Sequence, residues 1–158
     1  TKYAYVWYRD FAGNTSSVVN DGINLQPGYD FEDGSVPSNF TMTGNKSWYV
    51  TSSTVASGSY SLRSGSITHN QSSCFSFTES TTSGSFSFYY RISSESGYDY
   101  LRFYLNGSQL VYGSGSQSWT QYVRSVSSGI NTFRWCYTKD SSVSSGYDTA
   151  WIDNIQMP

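Results

Sequence analysis

The sequence predicts an all-β protein, a two-sheet antiparallel β-sandwich, and three observations support this fold class. Aromatic residues make up 18% of the 158 residues, far more than a disordered chain carries. Charged residues are only 13%, and the residues that favour helices are scarce. Short segments alternate apolar and polar residues with a period of two, and turns separate them at short intervals.

Residues 85–107 show this alternation most clearly and predict two long strands joined by an acidic loop. One face of both strands is apolar and consists of Phe86, Phe88, Tyr90, Ile92, Leu101, Phe103 and Leu105. Half-buried strands of this kind are typical of antiparallel sheets. We therefore expect the two strands to form the central pair of the fold.

The chain divides into an N-terminal hairpin, residues 1–24, and a sandwich module, residues 25–158. Residues 2–9 and 15–20 are the predicted strands of the hairpin. An isolated hairpin is marginally stable in water, and the outward row of Tyr3, Tyr5 and Trp7 is too apolar to remain exposed. We expect the hairpin to pack on the module or on copies of itself.

Further strands are predicted along the module wherever apolar alternation recurs: 39–42, 48–50, 60–67, 74–78, 110–112, 119–126, 131–138 and 149–157. Polar loops rich in glycine, serine and aspartate separate several of them. Three of these loops are 93–100, 107–119 and 139–149, and the first and last of them carry tyrosines beside carboxylates. We expect them to form the binding end of the module.

The two cysteines lie in predicted strands with known parity. Phe75 and Phe77 are expected to face the core, so Cys74 faces outward, and Trp135 places Cys136 outward by the same reasoning. Outward cysteines on strands that could be neighbours favour a disulfide across one sheet, provided that the protein is secreted. The alternative is two free, small side chains.

Composition and motifs argue against several functional classes. The net charge of −2 comes without a basic cluster of the kind that nucleic acids require, and no apolar run is long enough for a transmembrane helix. His69 is the only histidine, and no catalytic motif accompanies it. Carboxylate pairs leave a glycosidase formally open, but one sandwich offers no deep cleft, so we expect no enzyme and a surface role for His69.

Residues 30–158 resemble the MAM-like jelly-roll modules of bacterial secreted and surface proteins. The resemblance rests on FEDG at 31–34, GSYSLRSG at 58–65, the alternating stretch at 86–107 and the closing AWIDNI at 150–155. Residues 1–24 resemble the last hairpin of an immunoglobulin-like repeat in tandem surface domains. Together these resemblances imply an extracellular attachment or carbohydrate-recognition module without catalytic activity. The members found at fibre tips imply a homotrimer.

Aromatic rings in loops beside acidic residues are the expected contacts for a glycan or glycoprotein. A pyranose ring stacks its apolar face on an aromatic ring, while carboxylates accept its hydroxyl groups. The expected ligand-binding residues are Tyr98, Tyr100, Trp119, Tyr147 and Asp148. The tryptophans of strong strand patterns, Trp48, Trp135 and Trp151, are expected in the core instead.

A structural calcium ion is the expected cofactor. Calcium takes six to eight oxygen ligands and suits places where loops and chain ends meet. The first and last strands of jelly rolls are often neighbours, which would bring Glu32 near Asp153, and the resemblance also implies an ion there. Asp99 and Asp148 are the next candidates. The alternative is that these carboxylates bind turn amides and pair with arginine or Lys139.

The sequence therefore favours a non-catalytic adhesin or fibre-tip module at the bacterial cell surface, with a glycan or glycoprotein as its partner. The alternative is a structural module that caps a fibre or mediates oligomerisation and has no ligand of its own.

Overall fold

The structure, a computed structural model, describes residues 2–6, 11–15, 19–23 and 28–158, and of 2–6 and 19–23 it describes the backbone alone. These residues form strands and turns without a helix: β1 (Lys2–Val6), β2 (Val19–Ile23), β3 (Gly28–Tyr29), β4 (Thr41–Gly44), β5 (Tyr49–Thr51), β6 (Ser61–Arg63), β7 (Ser72–Thr81), β8 (Gly84–Ser93), β9 (Tyr100–Leu105), β10 (Ser108–Ser114), β11 (Ser116–Val126), β12 (Gly129–Thr138) and β13 (Thr149–Gln156). In this described part of the chain, no helix has the length and apolar character needed to cross a membrane.

The module is a two-sheet antiparallel sandwich, as the sequence predicts. One sheet has five strands in the order β10-β9-β12-β7-β4. The other has the order β11-β8-β13-β6-β5, with the short strand β3 paired to the last strand β13. The two termini of the module therefore meet, because Tyr29 pairs with Ile155.

The core lies between the sheets and is mainly aromatic. Phe75 stacks on Trp135 at 4.8 Å between ring centroids, and Phe86 contacts Phe133 at 4.5 Å. Trp48 is 2% exposed, and its indole Nε1 donates to the carbonyl of Ser73 at 2.9 Å. Each large side chain buried here contributes about 1.5–3 kcal/mol through removal of apolar surface from water.

Strands β8 and β9 do not form a central pair, so that expectation is wrong. They lie in different sheets and face each other across the core, where Phe86 and Phe88 meet Phe103 at 5.6 and 4.9 Å. The acidic loop after Ser93 carries the chain from one sheet to the other. A period of two buries the same residues whether two strands pair in one sheet or face each other from two sheets. The pattern alone therefore does not distinguish these two arrangements.

The predicted loop at 107–119 is also mostly strand. Strand β10 is an edge of the five-stranded sheet and β11 an edge of the six-stranded sheet, and the chain passes between them at Gly115. Gly115 has a positive φ of 76°, which its missing Cβ permits. The serine- and glycine-rich composition resembles a loop because edge strands expose polar side chains.

Strands β1 and β2 pair as an antiparallel hairpin, with Lys2 opposite Ile23. Of the predicted second strand, 15–20, the structure places Val19 and Asn20 in β2, and residues 16–18 lie outside the described residues. Trp7 lies outside the described residues, as do the side chains of Tyr3 and Tyr5. The oligomerisation expected from that apolar row therefore stays a prediction.

Candidate functional site

Three segments converge at one end of the sandwich, which we call the loop end: residues 94–99, 113–118 and 139–148. Ser94 and Gly115 exchange two hydrogen bonds, from Ser94 N to the Gly115 carbonyl at 3.0 Å and from Gly115 N to Ser94 Oγ at 3.1 Å. The amide of Tyr147 donates to Ser93 Oγ at 2.9 Å. Backbone amides therefore fix the segments to one another.

Lys139 is the buried centre of the loop end. Its Nζ lies 2.6 Å from Asp99 Oδ2 and 2.6 Å from Asp148 Oδ1, and it donates to the carbonyl of Val143 at 3.1 Å. The side chains of Lys139 and Asp99 are both 0% exposed. Asp99 Oδ1 also accepts from the amide of Asp140 at 3.0 Å. One ammonium group thus joins two of the converging segments.

The pKa shifts follow from this geometry. Burial alone would raise the pKa of Asp148, but hydrogen bonds from Lys139 and Tyr137 outweigh it and hold that pKa below its usual range. Burial likewise lowers the pKa of Lys139, and its two carboxylate partners more than reverse this. Burial and the neighbouring Asp148 carboxylate raise the pKa of Tyr137, so its hydroxyl remains a donor to Asp148 Oδ1 at 3.0 Å.

Three carboxylates gather beside Lys139: oxygens of Glu95, Asp99 and Asp140 lie within 4.8 Å of one another. Burial and the charges of Asp140 and Asp99 raise the pKa of Glu95. His69, expected at the surface, is exposed, and its charge acts on Glu95 in the opposite sense. Of the two metal ligands predicted here, Asp99 and Asp148, each pairs with the ammonium group of Lys139 instead.

The predicted aromatic contacts separate into different surfaces. Tyr98 and Tyr147 belong to the loop end and are 58% and 68% exposed. Tyr100 stacks on Tyr112 instead, on the outer face of the five-stranded sheet. Trp119 lies in β11, half-buried, with its indole Nε1 shielded from solvent. Tyr98 and Tyr147 are thus the rings that the loop end offers to a ligand.

Beside Tyr147 lies a cluster that the sequence analysis missed. Trp151 is 2% exposed, but it lies on the outer face of the six-stranded sheet, because Ala150 and Ile152 face the core. The guanidinium groups of Arg63 and Arg91 stand 5.6 and 5.4 Å from its ring. The ring of Tyr147 meets it edge-on at 6.1 Å. The sequence analysis expected Trp151 in the core because its neighbours are apolar. The alternation of residues 149–155 places Trp151 on the face opposite to Ala150 and Ile152, so this position could have been read from the sequence.

Glu32 and Asp153 lie close together near the C-terminal half of β13, where β3 pairs with β13. Both carboxylates accept amide hydrogen bonds from the same loop: Glu32 Oε1 from Ser59 and Tyr60 at 2.9 and 3.0 Å, and Asp153 Oδ2 from Ala56 at 2.7 Å. They line a cleft of about 190 Å³ together with Asp30, Ser57, Gly58 and Asn154. The sequence analysis missed Asp30 and Asn154.

The two carboxylates of this cleft act on each other electrostatically. Burial raises the pKa of Asp153 although backbone amides oppose it, and the negative charge of Glu32 raises it further. Carboxylates and an amide oxygen around one cleft are hard oxygen donors of the kind that calcium takes. The four predicted metal ligands therefore fall into two groups: Glu32 with Asp153, and Asp99 with Asp148 on Lys139.

Cys74 and Cys136 face each other on β7 and β12 and form a disulfide on the outer face of the five-stranded sheet. They are only 3% and 4% exposed. Arg134 covers the bridge, with its Nη2 3.7 Å from Cys74 Sγ. The sheet is thus cross-linked on its solvent side.

No protein-family model matches the chain, and no curated protein matches it. Several solved structures, by contrast, are similar to the chain. One, from work on carbohydrate-binding modules of the β-sandwich superfamily with promiscuous specificity, has a TM-score of 0.58 at 12% identity and covers 99% of this chain and 73% of its own. TmCBM61 in complex with β-1,4-galactotriose has a TM-score of 0.56 at 16% identity and covers 82% and 93%.

The K2 cleaved adhesin domain of Lys-gingipain has a TM-score of 0.63 at 15% identity and covers 85% of this chain and 98% of its own. At such low identities these similarities show a shared fold. That fold is the β-sandwich found in carbohydrate-binding modules and adhesin domains.

Proposed function

We propose that this protein is a non-catalytic, extracellular module that binds a glycan, free or on a glycoprotein, through its loop end. The observation that carries the proposal is the exposure of Tyr98 and Tyr147 on segments held together by the buried Lys139. Structures of the same fold bind carbohydrate or are adhesin domains, which supports this class of ligand.

The loop end suits sugar recognition because its rings are exposed while their supports are rigid. An exposed tyrosine offers an apolar ring face to a pyranose, and its hydroxyl hydrogen-bonds at the rim. The amide of Tyr147 is fixed to Ser93, and the following residue, Asp148, is fixed to Lys139. Little conformational entropy is then lost when a ligand binds. In this proposal Asp148 positions the loop and Tyr147 makes the contact.

Affinity electrophoresis in β-1,4-galactan and other neutral polysaccharides, preceded by a glycan array, tests this proposal. We expect Tyr98→Ala and Tyr147→Ala to weaken binding about tenfold each, since loss of one stacking contact is worth roughly 1.4 kcal/mol. Ile130→Ala is the control, because Ile130 is 79% exposed at the opposite end of β12. Equal losses in all three variants, or an array without any hit, would contradict the proposal.

A finer proposal is that the module forms the tip of a trimeric surface fibre. Its support is the resemblance of residues 1–24 to a repeat hairpin, together with the pairing of β1 and β2. Light scattering at several protein concentrations tests it. A mass three times that of the chain supports the fibre tip, whereas a monomer at all concentrations removes this proposal and leaves the glycan site untouched.

We also propose that Glu32 and Asp153 hold a structural calcium ion. A bound cation would neutralise the two carboxylates and fix the loop of residues 54–60 against the joined ends of the module. Isothermal titration with calcium should show a site that Glu32→Gln and Asp153→Asn abolish. Asp33→Asn is the matched control, since Asp33 is exposed and its carboxylate accepts hydrogen bonds from the amide and hydroxyl of Ser35. If calcium gives the same heat of binding with the wild type and with both variants, the proposed site is wrong.

A further inference from the structure

The outer face of the five-stranded sheet carries a second aromatic surface, which we call the Tyr–Arg face: Tyr100, Arg102, Tyr104, Tyr112 and Arg134. The rings of Tyr100 and Tyr112 stack at 4.1 Å with 17° between their planes. The guanidinium of Arg102 lies 4.7 and 5.1 Å from these two rings, and that of Arg134 lies 5.7 Å from Tyr104. These contacts fix the side chains relative to one another.

This face is positively charged, and no ion pair described within residues 28–158 involves its two arginines. Within residues 28–158 both ion pairs belong to Lys139. Arg102 donates to Thr138 Oγ1, a neutral acceptor, and Arg134 lies against Cys74 Sγ and the ring of Tyr104. The neighbouring strand β7 presents serine and threonine here, and its Glu79 accepts hydrogen bonds from Tyr29 and Asn39 at the sheet edge.

The two arginines are spaced along the sheet. Arg134 is opposite Tyr104 on the paired strand, and Arg102 is opposite Cys136, two residues farther along. Their Cα atoms are about 8 Å apart, because the two residues lie on neighbouring strands and are offset by two residues along the strand. Tyr112 is 55% exposed and extends the surface to the sheet edge. A chain-like ligand with repeated charges fits this spacing better than a ligand with one charge.

We propose that the Tyr–Arg face binds an acidic polysaccharide whose sugar rings carry carboxylates, as in a uronic acid chain. Charge complementarity selects the carboxylate, because a guanidinium group offers paired donors that match its two oxygens. The tyrosine rings take the apolar pyranose faces. The inference does not depend on the loop end, since none of its residues belongs to the neutral-glycan contacts proposed there.

Binding of polygalacturonate, with neutral galactan and dextran sulfate as comparison ligands, tests this inference. We expect wild type to bind polygalacturonate more tightly than dextran sulfate. Arg102→Gln with Arg134→Gln should lose at least about tenfold in affinity for polygalacturonate and should keep the wild-type response to galactan. Arg124→Gln is the matched control for the single variant Arg134→Gln, because Arg124 is an exposed arginine of β11, in the other sheet, and each of these substitutions removes one positive charge. It should stay within about twofold of wild type.

Three further variants make the test independent of how well the double variant folds. Arg102→Lys retains the charge but not the paired donors, so affinity should fall even though the fold is preserved. Arg134 is exposed, so Arg134→Gln alone serves if the double variant does not fold. Tyr147→Ala should leave polygalacturonate binding unchanged. The inference is overturned if wild type does not bind polygalacturonate, if Arg124→Gln loses as much as the double variant, or if dextran sulfate binds more tightly.

Discussion

Replacing Lys139 with methionine should lower the free energy of unfolding by about 3–5 kcal/mol at neutral pH, the usual cost of removing one partner of a buried ion pair. The magnitude follows from three contacts that disappear together: the 2.6 Å bonds to Asp99 and Asp148 and the bond to the carbonyl of Val143. Methionine fills a similar volume, so the loss reports charge rather than a cavity. Asp99, which is 0% exposed, is left as a buried carboxylate without a cation.

The pH dependence gives this prediction a second signature. In the wild type the folded pKa of Asp148 lies below its unfolded value of about 3.9. Its stabilisation is therefore complete above about pH 4 and is lost as the pH falls through the lowered pKa. The pKa of Lys139 is raised, so its contribution is present below about pH 10 and is lost as the pH rises through the folded value. The variant lacks the ammonium group that lowers the pKa of Asp148, so the difference between the two proteins should shrink as the pH falls toward 3.

Urea unfolding followed by tryptophan fluorescence between pH 3 and pH 9 measures both effects. Lys46→Met is the control, because Lys46 is exposed and its ammonium takes no part in the two ion pairs described. A loss below about 1 kcal/mol at pH 7 would refute the reasoning, since that is the range of a surface ion pair. So would a loss that is the same at every pH, because it would arise from packing and not from charge.

One reduction and two substitutions probe other parts of the module. Reduction of the Cys74–Cys136 bridge, which has a sequence separation of 62, should cost about 4 kcal/mol through loop-closure entropy, measured by urea unfolding with and without reductant. Gly58→Ala should cost about 1–3 kcal/mol, because φ is 66° there and a Cβ would lie 2.3 Å from Glu32 Oε1; calcium titration of this variant should also show weaker binding. Trp135→Ala should cost about 3–5 kcal/mol in thermal or urea unfolding, because its ring is 0% exposed at the centre of the core.

Most of the fold was accessible from the sequence because a period of two determines which side chains are buried. Phe86, Phe88 and Phe103 face the core as predicted. The alternation does not determine which strands pair, so β8 and β9 were expected in one sheet although they lie in two. The serine- and glycine-rich residues of β10 and β11 were predicted as a loop because edge strands have little apolar pattern to reveal them.

The candidate sites were accessible only in part. Adjacency of the first and last strands predicted that Glu32 and Asp153 would meet, and local composition selected Tyr98 and Tyr147. The role of Lys139 as the common partner of Asp99 and Asp148 depends on residues far apart in sequence. The contacts between guanidinium groups and aromatic rings were also not predictable. Strand parity shows which face of a sheet a side chain occupies, but it does not show which strand lies beside it.

The distribution of charge has a consequence for ligand choice that the net charge hides. The chain carries a net charge of −2, yet carboxylates such as Glu32 and Asp153 accept backbone amides, and Asp99 is buried on Lys139. Arginines such as Arg102 and Arg134 instead lie on an outer sheet face, where they contact rings and neutral acceptors. These three carboxylates therefore hold loops, whereas the guanidinium groups of Arg102 and Arg134 are available to a partner. This is why an overall acidic protein is expected to prefer an acidic glycan on one of its faces.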